Sequence, residues 1–549
     1  MAGRDGRVPR PPASLSRRQV LRGAAGVGAT ALVGSWLVGC SDDDAGDAGA
    51  ATTSTATDGG PTPPTESALG EVAVDTDVFA HGVASGDPTP GAVILWTRVT
   101  TDAEGAVEVE WEVATDEDFT EVVAAGTAET SAERDHTVKV DAIGLAPGTD
   151  HHYRFVLGGE AASPTGRTRT APEGSVEGVR FGVVSCSNYA FGAFHAYRNL
   201  ADQDVDVVLH LGDYIYEGGG ATSTFPLPAQ QVRAHDPTHE IVSLGDYRTR
   251  YAQYRTDPDL QALHARFPFV TVWDDHEITN NAWSGGASSH DPATEGSFAD
   301  RRAAATQAYF EWLPIRDADD EVIYRQLTYG DLVDLLMLDT RLVGRQEQGG
   351  GLVFEGSDPD LPTELLGSAQ EAWLTNRLGS SKARWKVLGQ QLVMSLWQLG
   401  EDTFANDDQW NGYPEARQRL VSFIADNEID DVVVLTGDVH SSWAMDVTDP
   451  EADYDPETGA GAVAVELVTP GITSPGGAVT AVTGPLQDGN AHIKYADAVQ
   501  NGYLVVDFTP ERVQGTWFYV DGVGEGQGTE VQGPTYEAVA GTSLLTEAT

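Results

Sequence analysis

Cysteine is nearly missing from this chain: 549 residues hold two, Cys40 and Cys186. That excludes a small disulfide-stapled fold. Lysine is almost as scarce, at positions 139, 382, 386 and 494 only, and 84 acidic residues face 33 basic ones for a formal net charge of −51. Without a basic face, sequence-independent nucleic-acid binding is excluded. No internal repeat or coiled-coil period is present. The long apolar stretch near the N-terminus is Gly-rich and about 17 residues, at the short limit for spanning a bilayer. What the chain does have is 40% hydrophobic residues and 12 Trp, enough for a globular protein with a sizeable core.

Residues 1–39 read as an export signal. In "SLSRRQVLRGAAGVGATALVGSWLVGC", paired Arg17 and Arg18 precede a mildly apolar segment ending Leu37-Val38-Gly39-Cys40. Twin arginines in that context point to the Tat route. The ending resembles a lipoprotein box, with Cys40 as the lipidated mature N-terminus; a transmembrane anchor is the alternative. Residues 40–74, rich in Ala, Thr, Gly, Pro and Asp, read as a flexible tether. If Cys40 carries lipid, Cys186 has no disulfide partner in its own chain.

Residues 75–172 alternate short apolar strands with turns, as in "AVILWTRV" and "VEVEWEVATD". With strands about every 10 residues, they predict a fibronectin-III-like β-sandwich. From 178 to 525 strands alternate with helices, predicting an α/β domain whose ligands bind at the carboxyl ends of strands. Residues 526–549 read as a C-terminal tail.

Four apolar strands in that second region end in ligand-type residues: Cys186 in "GVVSCS", Asp213 and Tyr216 in "LGDYIY", Asp274 to Glu277 in "VWDDHE", and Asp438 and His440 in "VLTGDVH". Strand ends of one sheet converge on one edge, so the four predict a metal centre. Structural alternatives stand beside each: a packed core thiol at Cys186, an aromatic plug at Tyr216, a capping role for Asp274. Asn280 and Asn281 make either a phosphate contact or a turn. Arg248, Arg250 and Arg255 in "GDYRTRYAQYR" offer a guanidinium for phosphate, Arg248 foremost, or lie solvated on a helix. His195, His235, His239 and His290 read as surface or loop residues. Asp339 and Arg341 in "LMLDTR" read as a buried ion pair.

As a set, these motifs resemble the metallophosphoesterase superfamily, whose pattern runs GD-x-x-Y, GNHE, GH-x-H. With "HGVASGDPTPGAVILWTRV" upstream, residues from about 77 to 525 are similar to the PhoD-type alkaline phosphatases. That resemblance implies an αββα catalytic sandwich behind a small β domain. It implies Asp213 as a bridge between two metals, with Cys186, Tyr216 and His440 completing the first site. Thiolate, phenolate and imidazole together suit Fe³⁺. At the second site Asp275 and Asp438 stand where relatives have Asn and His, and Gln390 and Gln391 where relatives have a further His. The donors are then all oxygen, which selects Ca²⁺. The implied reaction is attack on phosphorus by a hydroxide held between the cations, with His276 protonating the leaving oxygen and Glu277 orienting His276.

The function expected is an exported phosphatase acting on small phosphomonoesters. A phosphodiesterase of lipid head groups, wall polymers or nucleotides is the alternative, and a non-catalytic surface lipoprotein a third reading. Membrane contact is expected only through lipid on Cys40, and the chain is expected to be a monomer.

Overall fold

The computed structural model describes residues 65–219, 232–317, 322–349 and 351–548. The signal segment, most of the tether and Cys40 lie outside the described residues. Among the described residues no helix is long and apolar enough to cross a membrane.

The β/α alternation of the sequence becomes two large mixed sheets packed face to face. In the first, Val83–Thr89, Pro268–Thr271, Val207–His210 and Val179–Val184 run parallel, and Gly502–Phe508 and Arg512–Val520 continue it antiparallel. In the second, Val333–Met337, Trp385–Gln390, Val432–Thr436 and Ala462–Val468 run parallel. Period-2 side-chain alternation explains the layering. In Val432–Thr436, Val433 and Leu435 join the core between the sheets. Val432 and Val434 instead meet Leu374, Leu420 and Ile424 of the helices Gly367–Ser380 and Pro414–Asp426. Helices Leu244–Arg255, Pro258–Arg266 and Phe298–Trp312 pack against the first sheet through Tyr251, Leu260, Leu263 and Tyr309. The two sheets are also tied by hydrogen bonds: Thr469 Oγ1 donates to Val183 O (2.9 Å) and Trp517 Nε1 to Val468 O (2.9 Å). The order is helix, sheet, sheet, helix.

Two domain limits are corrected, and one expected domain shares a sheet with its neighbour. The N-terminal β segment packs two sheets around a core of its own, with Val83, Val93, Leu95 and Val140 against Val109, Trp111, Tyr153 and Phe155. Strands Val122–Thr130, Val107–Ala114 and Asp150–Leu157 form one sheet, but Val83–Thr89, Ala92–Arg98 and Thr137–Ile143 extend the ten-stranded catalytic sheet. Ser85 pairs with Pro268 and Gly86 with Phe269, so an edge that would otherwise be exposed is used as a junction. The run Val93-Ile94-Leu95-Trp96 is buried on both faces because Val93 and Leu95 enter the N-terminal core while Trp96 enters the catalytic one, where its Nε1 reaches Glu311 O (2.8 Å) across the junction.

Residues 65–74, read as the end of the tether, are folded. Thr65 bridges to Val122 and Val74 to Ala162, and Ser67 donates to the buried Glu112 carboxylate (2.8 Å). Glu112 carries a charge that must be partnered when buried, and Ser67 and Arg154 supply the partners. The supposed tail also belongs to the fold: Glu530–Val539 pairs with Arg512–Val520, and Thr546–Glu547 pairs with Glu530–Val539.

Candidate metal centre

The four strand ends meet, but they come from two sheets and not from one as expected: Val432–Thr436, which leads to Asp438 and His440, lies in the second. Cys186, Asp213 and His440 each offer one ligand atom, all within 4.8 Å of one another; Asp213, Asp275 and His276 form a second such group, and Asp274, Asp275 and Asp438 a third. Reaching this geometry requires unusual backbone. Cys186, Asp213, Asp438 and His440 have φ of 61°, 56°, 63° and 52°, and Asn281 has 53°. Non-glycine residues in this left-handed region cost about 1–3 kcal/mol each and persist where the surroundings over-determine them. Here the strand must end and its next side chain turn back over the sheet edge. Gly212, at φ 99°, has no alternative, because a Cβ there would lie 2.3 Å from Asp274 Cβ.

Hydrogen bonds hold the turns. The Glu277 carboxylate accepts from the N–H groups of Asp213 (3.0 Å), Tyr214 (2.5 Å) and Asp274 (2.8 Å), stapling two strand ends together. Glu277 therefore does not orient His276, as the sequence suggested. That task falls to Glu217, whose Oε2 is 2.5 Å from His276 Nδ1 and whose Oε1 accepts from Asn280 N (2.8 Å). The signal for Glu217 was present, since it directly follows Tyr216, but a carboxylate beside a glycine-rich loop reads as solvated.

Tyr216 hydroxyl donates to Asp213 Oδ2 (2.8 Å), lies 3.2 Å from His440 Nε2 and accepts from Ser474 Oγ (2.7 Å). His440 Nδ1 sits 3.0 Å from Pro475 O, so its proton is placed there and Nε2 is left facing Asp213 and Tyr216. Burial first, then the Asp213 charge, pushes both the Cys186 thiol and the Tyr216 phenol well above their ordinary pKa values. A cation at this spot reverses that balance, and gathered thiolate, phenolate, carboxylate and imidazole donors fit Fe³⁺. Asp274, Asp275 and Asp438 offer only oxygen donors, which fits a hard cation such as Ca²⁺, and Asp213 and Asp275 also gather, with the His276 nitrogen among them.

Arg341 is the residue that sequence reasoning misplaced. It is fully buried, but its guanidinium does not pair with Asp339, whose carboxylate instead accepts from the N–H groups of Arg341 and Leu342. The guanidinium holds Asp274, Asp408 (2.9 Å) and Asp438 (2.6 Å), with Asp275 at 3.9 Å. Asp438 also accepts from Gln409 Nε2 (2.7 Å). Burial raises the Asp275 pKa, yet Arg341, His276 and backbone N–H groups outweigh it and hold that carboxyl at about 2. At Asp438 burial wins over Arg341, and the carboxyl is pushed up to about 6. Asp408 and Gln409 come from "NDDQW", a loop whose sequence carries no ligand signal.

The expected arginine contact is absent. Arg248 pairs with Glu311 (2.6 Å) and donates to Glu133 O, away from the centre, because a half-buried guanidinium on that helix face meets the junction with the N-terminal strands. Arg250 is buried against the carbonyls of Tyr216, Gly218 and Pro237, shaping the loop after the strand. Arg255 lies over Trp96, 4.3 Å from its ring centroid. His195 and His235, expected at the surface or in loops, are both buried, His235 within a loop.

A cavity of about 220 Å³ opens over the cluster, with Asp213, Asp275, His276, Asn281, Asp438 and His440 on its floor. Burial alone would lower the His276 pKa, but the charges of Glu217, Asp213 and Asp275 hold it well above the usual histidine value. The arrangement can place a phosphate against two cation sites with a proton donor beside them.

The chain matches the family model of the PhoD-like phosphatase over residues 181–517 and that of the PhoD-like phosphatase N-terminal domain over residues 65–172. Alkaline phosphatase D of Bacillus subtilis (strain 168) is 40% identical over 458 residues, 79% of this chain and 76% of that protein. The solved structure of PhoD aligns with a TM-score of 0.78 at 37% identity, covering 86% of this chain and 92% of that one.

Proposed function

Because the chain belongs to the PhoD-like phosphatase family, we propose that it is an exported phosphomonoesterase whose cofactors are Fe³⁺ and Ca²⁺. The observation that carries this reading is the meeting of Cys186, Asp213 and His440 donor atoms within 4.8 Å, with the Tyr216 hydroxyl among them. In this reading Cys186, Asp213, Tyr216 and His440 hold iron, and Asp213, Asp275 and Asp438 hold calcium. Bound there, the cations supply Lewis acidity that neutralises phosphate oxygens and activates water.

The chain's own residues do the rest. The Glu277 staple fixes the Asp213 turn, and the Pro475 carbonyl sets the His440 tautomer. Asn281 lines the cavity and donates its amide to a phosphate oxygen. Glu217 holds His276 by Nδ1, so that Nε2 carries a proton for the leaving alkoxide. The twin-arginine segment takes the protein across the membrane, lipid on Cys40 keeps it at the surface, and it acts there as a monomer.

Metal analysis tests the proposal. The purified protein should hold about one iron per chain and show a tyrosinate-to-iron charge-transfer colour. Tyr216→Phe should lose the colour, Cys186→Ser should lose iron, and a calcium chelator should remove activity. Zinc at both positions without colour overturns the site assignment. Turnover of bis-p-nitrophenyl phosphate in preference to p-nitrophenyl phosphate would replace the monoesterase reading with the diesterase one.

A further inference from the structure

The floor of the catalytic cavity is polar, but one side of it is not. Leu352, Val439, Ala478 and Val479 also line it, and among the described residues no lysine or arginine does. Arg341 lies fully buried, engaged with Asp274, Asp408 and Asp438. Val439 belongs to an apolar cluster with Trp397, Ala405 and Trp443, against which Val479 packs, so this wall is backed by core.

Leu352 is the unusual member. Its backbone is pinned, with Asn406 N donating to Leu352 O (2.9 Å) and Gly351 N donating to Asp407 Oδ2 (2.8 Å). Its side chain is nevertheless 62% exposed, and Val353 beside it is 55% exposed. A leucine fixed at a cavity mouth with its side chain in water gains free energy only when something apolar covers it.

We infer that Leu352, Val439 and Val479 seat the organic arm of the ester, and that this enzyme selects phosphoesters with an uncharged alkyl or aryl group next to the ester oxygen. The inference rests on the phosphatase reading of the floor. With phosphate on the metal-ligand cluster, the arm leaves the floor beside Val439 and runs out between Leu352 and Val479. Along that wall, among the described residues, an anionic arm meets no lysine or arginine and faces Asp408 instead. The selected esters are individual molecules in solution.

The test is a homologous series on the metal-loaded full chain: kcat/KM for ethyl, butyl and hexyl phosphate, followed by phosphate release. Each added methylene should raise kcat/KM by about two- to fourfold until the wall is covered. Leu352→Ser and Val479→Ser, both changes at solvent-accessible positions, should each shrink the hexyl-to-ethyl ratio. A flat series in the wild type, or the same ratio in both variants, while p-nitrophenyl phosphate is still hydrolysed, refutes the inference and leaves the phosphatase reading intact. If no ester is hydrolysed, the phosphatase reading fails. Calorimetric binding of hexylphosphonate against ethylphosphonate then decides the wall separately, and equal affinities would sink it.

Discussion

Arg341→Gln is the sharpest perturbation available, because one guanidinium with no solvent access holds three carboxylates and stands 3.9 Å from a fourth. At about 4 Å and an effective dielectric of about 20, each contact is worth about 4 kcal/mol of attraction before desolvation. Desolvation cancels most of that, and breaking a buried pair costs a net of about 3–5 kcal/mol. With several partners orphaned at once, the loss should fall at the top of that range. The assay is urea denaturation of chelator-treated protein, wild type against variant. Acidity supplies an internal check. Asp438 already sits at about 6 in the folded protein, above the ordinary carboxylate range, and losing Arg341 raises it further. A carboxyl whose pKa is raised by folding binds its proton more tightly folded than unfolded, so it costs stability as pH rises through that pKa. The gap between the two proteins should therefore narrow from about pH 7 to about pH 5. Arg341→Lys should recover part of the loss by keeping the charge. A loss below about 1 kcal/mol, the worth of a surface pair, or a gap that widens on acidification would refute the reasoning.

Glu217→Gln should lower kcat by about 10²-fold for alkyl phosphates with little change in KM, because His276 loses the carboxylate that orients and charges it. The loss should be much smaller for p-nitrophenyl phosphate, whose leaving group departs without a proton; equal losses on both would exclude this role. Gly212→Ala should abolish activity and sharply reduce the thermal midpoint, since its Cβ would sit 2.6 Å from Asp274 N at a φ of 99°. A folded, active variant would show that the strand end can relax. Arg248→Gln should leave kcat/KM within about twofold while costing about 1–3 kcal/mol in denaturant melts through its lost bonds to Glu311; a large loss of kcat/KM would return Arg248 to the substrate.

Much of the centre was legible because it follows from chain-local rules. A buried parallel strand has an apolar run and its carboxyl end faces the sheet edge, so Cys186, Asp213, Tyr216, Asp275 and His276, just past three ends of one sheet, share that edge. Asp438 and His440 follow Val432–Thr436 of the other sheet, and only the packing of the two sheets brings them into the same cluster. Arg248 was misplaced because a helix pattern tells which residues share a face, not what that face meets. The boundaries at 75 and 525 failed for a related reason. The composition of residues 65–74 does suit a tether, yet backbone pairing with Val122 and Ala162 needs no apolar side chain.

What the amino-acid order determined alone was therefore the alternation of strands and helices, the acidity, and which residues stand at strand ends. What only the tertiary structure decided was long-range partnership. Arg341 meets Asp274, Asp408 and Asp438 across 67 and 97 residues of chain, and Glu217 reaches His276 across 59. A charge buried between two sheets takes its partners from whatever strand ends and loops close over it, and that closure depends on how the layers pack.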